Sequence, residues 1–106
     1  MCGIAGFIGF ENKIDLAERA NIIQKHRGPD HQDVWHDEHI ALSHQRLSII
    51  DINPRSNQPF LKHGLVISFN GEIYNYKELI TNYLQGVTLR TKSDTEVILE
   101  MYRKFQ

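Results

Sequence analysis

The sequence has little that would fasten a fold covalently or hold it in a membrane. Its 106 residues include a single cysteine, Cys2, so no internal disulfide can form. No apolar run is long enough to span a bilayer, and no secretory apolar segment opens the chain. It therefore reads as a cytosolic, cytoplasmic protein without membrane attachment. Charge of neither sign dominates: 12 basic residues face 13 acidic ones, for a net charge of -1. That excludes a basic field for nucleic acid and an acidic tail. No glycine-rich loop of the phosphate-cradling kind occurs. There is no internal repeat and no low-complexity segment.

What is present suits a small globular domain, with 41% hydrophobic and 24% charged residues. The opening Met1–Ile8 segment alternates as a strand. Cys2, Ile4 and Ile8 point one way, Ala5 and Phe7 the other, and Gly3 and Gly6 leave room beside the sulfur. Gly9 to Lys13 is a polar turn. Asp15 to Lys25 has helical spacing, with Asp15 and Glu18 as a capping box and Leu16, Ala20 and Ile23 as the buried face. Pro29 ends that region.

Asp33 to His36 and Ile40 to Gln45 form a hairpin through a His36–His39 turn. Leu47 to Ile52 is an apolar run and Asn53 to Pro59 a loop. Leu65 to Phe69 is a strand covered on both faces, ending at Asn70-Gly71, a pair suited to positive φ. Asn75 with Glu78 caps a helix running to about Leu84, and Val87 to Thr91 is a short strand. Ser93 and Glu96 form a second capping box. They open a helix whose apolar face is Val97, Ile98, Met101, Tyr102 and Phe105. That face and the Leu65–Phe69 strand call for partners beyond this chain. The sequence thus reads as part of something longer.

Candidate chemistry sits at a few positions. Loss of Met1 would give Cys2 a thiol and a free α-amine on one residue. The amine titrates near ~8 and the thiol near ~8.5, so the amine can serve as base. The plainer alternative is a small buried apolar residue. The Asn70 amide and the Gly71 N–H are adjacent neutral donors, the equipment of an oxyanion hole; a simple turn is the alternative. Arg46 can grip a carboxylate with two parallel hydrogen bonds, or lie on the surface. Asp94 sits in the first turn of a helix, where capping alone would explain it. Arg46 with Asp94 or Glu72 matches both ends of a free amino acid. Six histidines suggest metal binding as a rival, but His26, His31, His36, His39 and His44 match no compact zinc spacing.

Met1 to Gly6, His26-Arg27-Gly28-Pro29-Asp30, Ser43 to Asp51, Asn57-Gln58-Pro59, Phe69 to Tyr76 and Ser93 to Glu96 together resemble the N-terminal glutaminase domain of glutamine-hydrolysing asparagine synthetases. These are class II glutamine amidotransferases among the N-terminal-nucleophile hydrolases. The resemblance implies an α+β fold, the αββα four-layer sandwich, of which residues 1–106 would be the N-terminal part. It implies Cys2 as nucleophile with its own α-amine as base, and Asn70 and Gly71 as the oxyanion hole. It gives Arg46 to the glutamine α-carboxylate and Glu72 and Asp94 to the α-ammonium. Leu47, Ser48, Ile49 and Ile50 line the pocket by their backbone.

The resemblance also implies a C-terminal synthetase domain, absent here, that uses ATP and magnesium to activate aspartate. No cofactor is expected in this chain. Arg27 can order either the site or its own turn, and a homodimer is left open. Two rivals remain: a metal-binding module, and an inactive fragment that needs a partner. A chain that keeps Met1 has an amide at Cys2 and no base.

Overall fold

The computed structural model describes residues 2–47 and 53–106. Helix and strand mix in an α+β arrangement. The elements are β1 (Gly3–Ile8), α1 (Lys13–Ile23), β2 (His31–His36), β3 (Ile40–Arg46), β4 (Phe60–Lys62), β5 (Leu65–Ile67), α2 (Tyr76–Tyr83) and α3 (Asp94–Phe105).

The first sheet has the order β1-β3-β2, antiparallel throughout. Gly3 pairs with Gln45 and Ile8 with Ile40, while His31 pairs with Arg46 and His36 with Ala41. The hairpin expected around residues 36–39 is present. Its turn is held by the Asp37 carboxylate, which accepts the N–H groups of His39 and Ile40, each at 2.8 Å. Those bonds keep the Asp37 carboxyl below its usual range.

One face of this sheet lies under α1, and Ala17, Ala41, Ser43 and Gln45 are buried there. The helix differs from its sequence reading. It begins at Lys13 after Asn12, with no side-chain cap, so the Asp15–Glu18 box does not form. Its buried residues are Ala17 and Asn21, whereas Ile23 is 73% exposed. The Asn21 amide can turn inward because it donates to the Asp33 carbonyl at 2.9 Å. The room at Gly3 and Gly6 serves neighbours other than the sulfur. A Cβ on Gly3 would stand 3.0 Å from Gln24, and one on Gly6 would stand 3.2 Å from Leu42.

Residues 87–91 are not a strand. Lys62 Nζ donates to the Thr88 carbonyl, and Glu96 accepts the N–H groups of Arg90 and Thr91. Side chains thus satisfy the backbone groups that a ladder would otherwise pair. The strand missing from the sequence reading is β4. It pairs with β5 through His63-Gly64, both at positive φ, as a two-residue hairpin requires. The Leu65–Ile67 strand is half-buried, not covered on both faces, and it ends before Ser68.

Helix α3 packs on this hairpin and buries Val97 and Leu99. Each contributes about 1.5–3 kcal/mol. Tyr102 and Phe105, expected in the buried face, are exposed; the Phe105 ring meets Tyr83 of α2 edge-on at 5.7 Å. Asn75 makes no side-chain cap at α2.

Candidate active site

Arg46 is the last residue of β3, and Cys2 stands just before β1. The antiparallel register carries the two strand ends to one place. There the Cys2 thiol accepts the Leu47 N–H at 3.3 Å and lies 3.7 Å from the Leu47 carbonyl. Contact with both backbone polar groups of Leu47 holds the sulfur at the end of the sheet.

Arg46 is only 4% exposed. Its Nη1 donates to Asn57 Oδ1 at 2.5 Å and to the Asn53 carbonyl at 3.2 Å. Those bonds fix the plane of the guanidinium. Behind it, the Gly28 carbonyl accepts from Gln45 Nε2 at 2.9 Å, and Asp30 N–H donates to the Arg46 carbonyl at 2.9 Å. A Cβ on Gly28 would overlap the Gln45 carbonyl oxygen. The His26–Asp30 motif therefore touches the site through Gly28 and Asp30, whereas the Arg27 side chain is exposed. Gly28→Ala should displace the end of β3 and cost about 1–3 kcal/mol of stability. A lower thermal midpoint would show it.

Asp94 opens α3 and is 5% exposed. Its Oδ2 accepts the Ile73 N–H at 2.9 Å, which draws the 70–73 segment to the helix. Only half of the expected capping box forms. Ser93 Oγ accepts the Thr95 N–H at 3.1 Å, whereas Ser93 N–H donates to Thr91 Oγ1. Glu96 reaches Arg90, Thr91 and Lys62.

The Asn70-Gly71 pair follows β5. Gly71 does not take positive φ. Its missing side chain is used for packing, since a Cβ there would stand 2.8 Å from the Phe69 ring. One cavity is lined by Cys2, Arg46, Leu47, Asn70, Gly71, Glu72 and Asp94. Ser56, Gln58, Phe69, Ser93 and Thr95 complete its wall. Each candidate within the described residues thus lines a common space; Ser48, Ile49 and Ile50 lie outside them. Sequence reading passed over Gln58 as a functional position, although it stands in Asn57-Gln58-Pro59, one of the segments that carry the family resemblance.

Among the described residues, no group of three or more His, Cys, Asp or Glu is arranged to hold a metal ion. His44 is instead fully buried, with Nε2 3.0 Å from the Phe69 carbonyl. Burial pushes its pKa below 6.5.

A family model described as a glutamine amidotransferase domain matches residues 1–105. The chain belongs to the glutamine amidotransferase domain family. Among curated relatives of this domain, asparagine synthetase [glutamine-hydrolyzing] 1 of Bacillus subtilis is 42% identical over 97% of the chain and 18% of its own length. Asparagine synthetase [glutamine-hydrolyzing] 2 of Oryza sativa is 39% identical over 99% of the chain and 18% of its own length. Asparagine synthetase B [glutamine-hydrolyzing] of Escherichia coli is 33% identical over 98% of the chain and 20% of its own length. The domain therefore spans about a fifth of the length of these relatives.

Proposed function

We propose that this domain hydrolyses glutamine to glutamate and ammonia, with Cys2 as nucleophile. The observation that carries the reading is the single cavity onto which Cys2, Arg46, Asn70, Gly71, Glu72 and Asp94 open from separate elements. The cavity offers a cation for an α-carboxylate, acids for an α-ammonium, and a thiol beside two neutral donors.

The chemistry follows from those groups. With Met1 removed, the Cys2 α-amine takes the thiol proton as sulfur attacks the side-chain amide carbon of glutamine. The carbonyl electron pair moves to oxygen, and the Asn70 amide and Gly71 N–H stabilise that charge. The C–N bond then breaks, the α-ammonium returns its proton to the leaving nitrogen, and ammonia departs. Water attacks the thioester, glutamate is released, and the thiol is restored. Arg46 holds the α-carboxylate, Glu72 and Asp94 the α-ammonium, and the 47–50 backbone the substrate chain.

In a longer protein the ammonia would feed synthesis of asparagine, as the names of the relatives suggest, with aspartate as the acceptor that the family resemblance implies. ATP and magnesium would act in that other part.

The test is release of glutamate and ammonia from glutamine by protein whose intact mass shows Met1 removed. Arg46→Ala should raise KM for glutamine by an amount worth about 2–5 kcal/mol, because it removes a desolvated charge-assisted pair. Unchanged glutamine affinity would refute the role of Arg46. A Met1-free protein that releases no glutamate would refute the activity.

A further inference from the structure

We infer that His44 and Gln58 are positioning residues that aim the Asn70 amide and the Gly71 N–H by holding the two peptide units on either side of Phe69. The inference deepens the glutaminase reading and rests on it.

Strand β5 ends at Ile67, so Ser68, Phe69 and Asn70 continue without a ladder partner. Side chains hold this stretch instead. Ser68 Oγ donates to the Ser43 carbonyl at 3.0 Å. The Phe69 N–H donates to Gln58 Oε1 at 2.6 Å. The Phe69 carbonyl accepts from His44 Nε2 at 3.0 Å. That carbonyl and the Asn70 N–H belong to one planar peptide, so holding the oxygen sets the direction in which Asn70 leaves it. The Phe69 ring then packs against Gly71, where even a Cβ would be 2.8 Å away. Both proposed oxyanion donors thereby inherit their orientation from the Phe69 backbone.

His44 acts through its own tautomer. Donation to a carbonyl requires the proton on Nε2, which leaves Nδ1 as an acceptor. Nδ1 is buried and has no hydrogen-bond partner among the described residues. A fully buried imidazole with one nitrogen committed to this carbonyl is costly as mere filler, since the other polar atom goes unpaired.

Gln58 adds a second connection. Its Nε2 donates to Thr95 Oγ1 at 3.1 Å, and the Thr95 N–H donates to Ser93 Oγ. One buried amide thus joins the start of α3, where Asp94 stands, to the peptide ahead of Phe69. It keeps the group that would bind the α-ammonium in fixed register with the group that would meet the reacting carbonyl.

Steady-state glutamine hydrolysis in single and double variants provides the test. His44→Phe should lower kcat about 100-fold with KM nearly unchanged, the size of a small misplacement at the reacting centre. His44→Gln, whose amide nitrogen reaches the same carbonyl, should restore most of that loss. The double variant His44→Phe with Asn70→Ala should lose clearly less than the product of the two single losses, because one of the two misaimed donors is already absent and only the Gly71 N–H is left to misdirect.

Unchanged kcat in His44→Phe, losses that multiply in the double variant, or a rise in KM in place of the fall in kcat would each overturn the inference. If His44→Phe fails to fold, His44→Gln and His44→Asn replace it. Their amide nitrogens differ in reach by one methylene, and equal kcat in the two would overturn it. A wild-type protein without glutaminase activity, or Asn70→Ala as fast as wild type, removes the glutaminase reading and this inference with it. Slow Asn70→Ala beside an undisturbed His44→Phe removes only the inference.

Discussion

Cys2→Ala should abolish glutamine hydrolysis, with kcat reduced by roughly 10⁴-fold or more. The sulfur is the one atom at the site that can form the thioester, and no other cysteine exists in the chain. The exchange should not unfold the domain. Cys2 is half-buried, and among the described residues its side-chain hydrogen bonds are sulfur contacts to a single residue, Leu47. In a complete protein that also performs the synthetic reaction, the same variant should still use free ammonia. Loss of glutamine-dependent turnover with ammonia-dependent turnover preserved would separate a missing nucleophile from a broken fold. Retained glutaminase turnover would end the assignment of Cys2.

The second large effect lies away from the cavity. Lys62→Met should destabilise the protein by about 3–5 kcal/mol, seen as a lower denaturation midpoint. The Lys62 ammonium has three donors, and each has an acceptor. Glu96 Oε2 is at 2.6 Å, the Thr88 carbonyl at 2.7 Å and Glu100 Oε2 at 3.0 Å. Methionine fills similar space but leaves Glu96, only 1% exposed, without its cation.

Burial alone would raise the Glu96 pKa. Lys62, the Arg90 N–H and the hydroxyl and N–H of Thr91 outweigh it and hold the carboxyl below 4.5. Its folded pKa therefore lies under its unfolded one, and below pH 4.5 the unfolded chain binds the proton first. The stability from Glu96 is present above pH 4.5 and is lost as pH falls through the folded value. Lys62→Met should already lack much of it at neutral pH and show a weaker decline with acid. Wild-type stability in the variant would show that the cation does not anchor this cluster. The cluster also bears on the cavity, because Glu96 holds the backbone that leads into Ser93 and Asp94.

The sequence showed these features unequally. The β2–β3 hairpin was legible because alternation and a polar turn agree there. The last helix was legible because Ser93 caps it and its apolar spacing is regular. The inward face of α1 was not, since Asn21 turns in only once the Asp33 carbonyl is beside it. Residues 87–91 looked like a strand from β-branched content alone. The lysine that takes the Thr88 carbonyl comes from β4, remote in sequence, and the glutamate that takes the Arg90 and Thr91 N–H groups comes from the first turn of the next helix. At the cavity, each candidate carried a plain alternative when taken singly, and the agreement of several motifs with one family singled them out. His44 was read only as one of the histidines of a metal-binding rival and Gln58 only as part of a family motif, because the Phe69 groups they hold are backbone, and backbone contacts leave no mark in a sequence.

The order β1-β3-β2 has a consequence for how the protein is born. The strand behind Cys2 is made before its partner in the sheet, β3, so Gly3 must wait for Gln45. At ordinary rates of synthesis that wait lasts seconds. During it, β1 has no sheet to join, and Cys2 is not yet held against Leu47. Exposure of the Cys2 α-amine, on which the proposed chemistry depends, thus has available an interval set by the spacing of two strands along the chain.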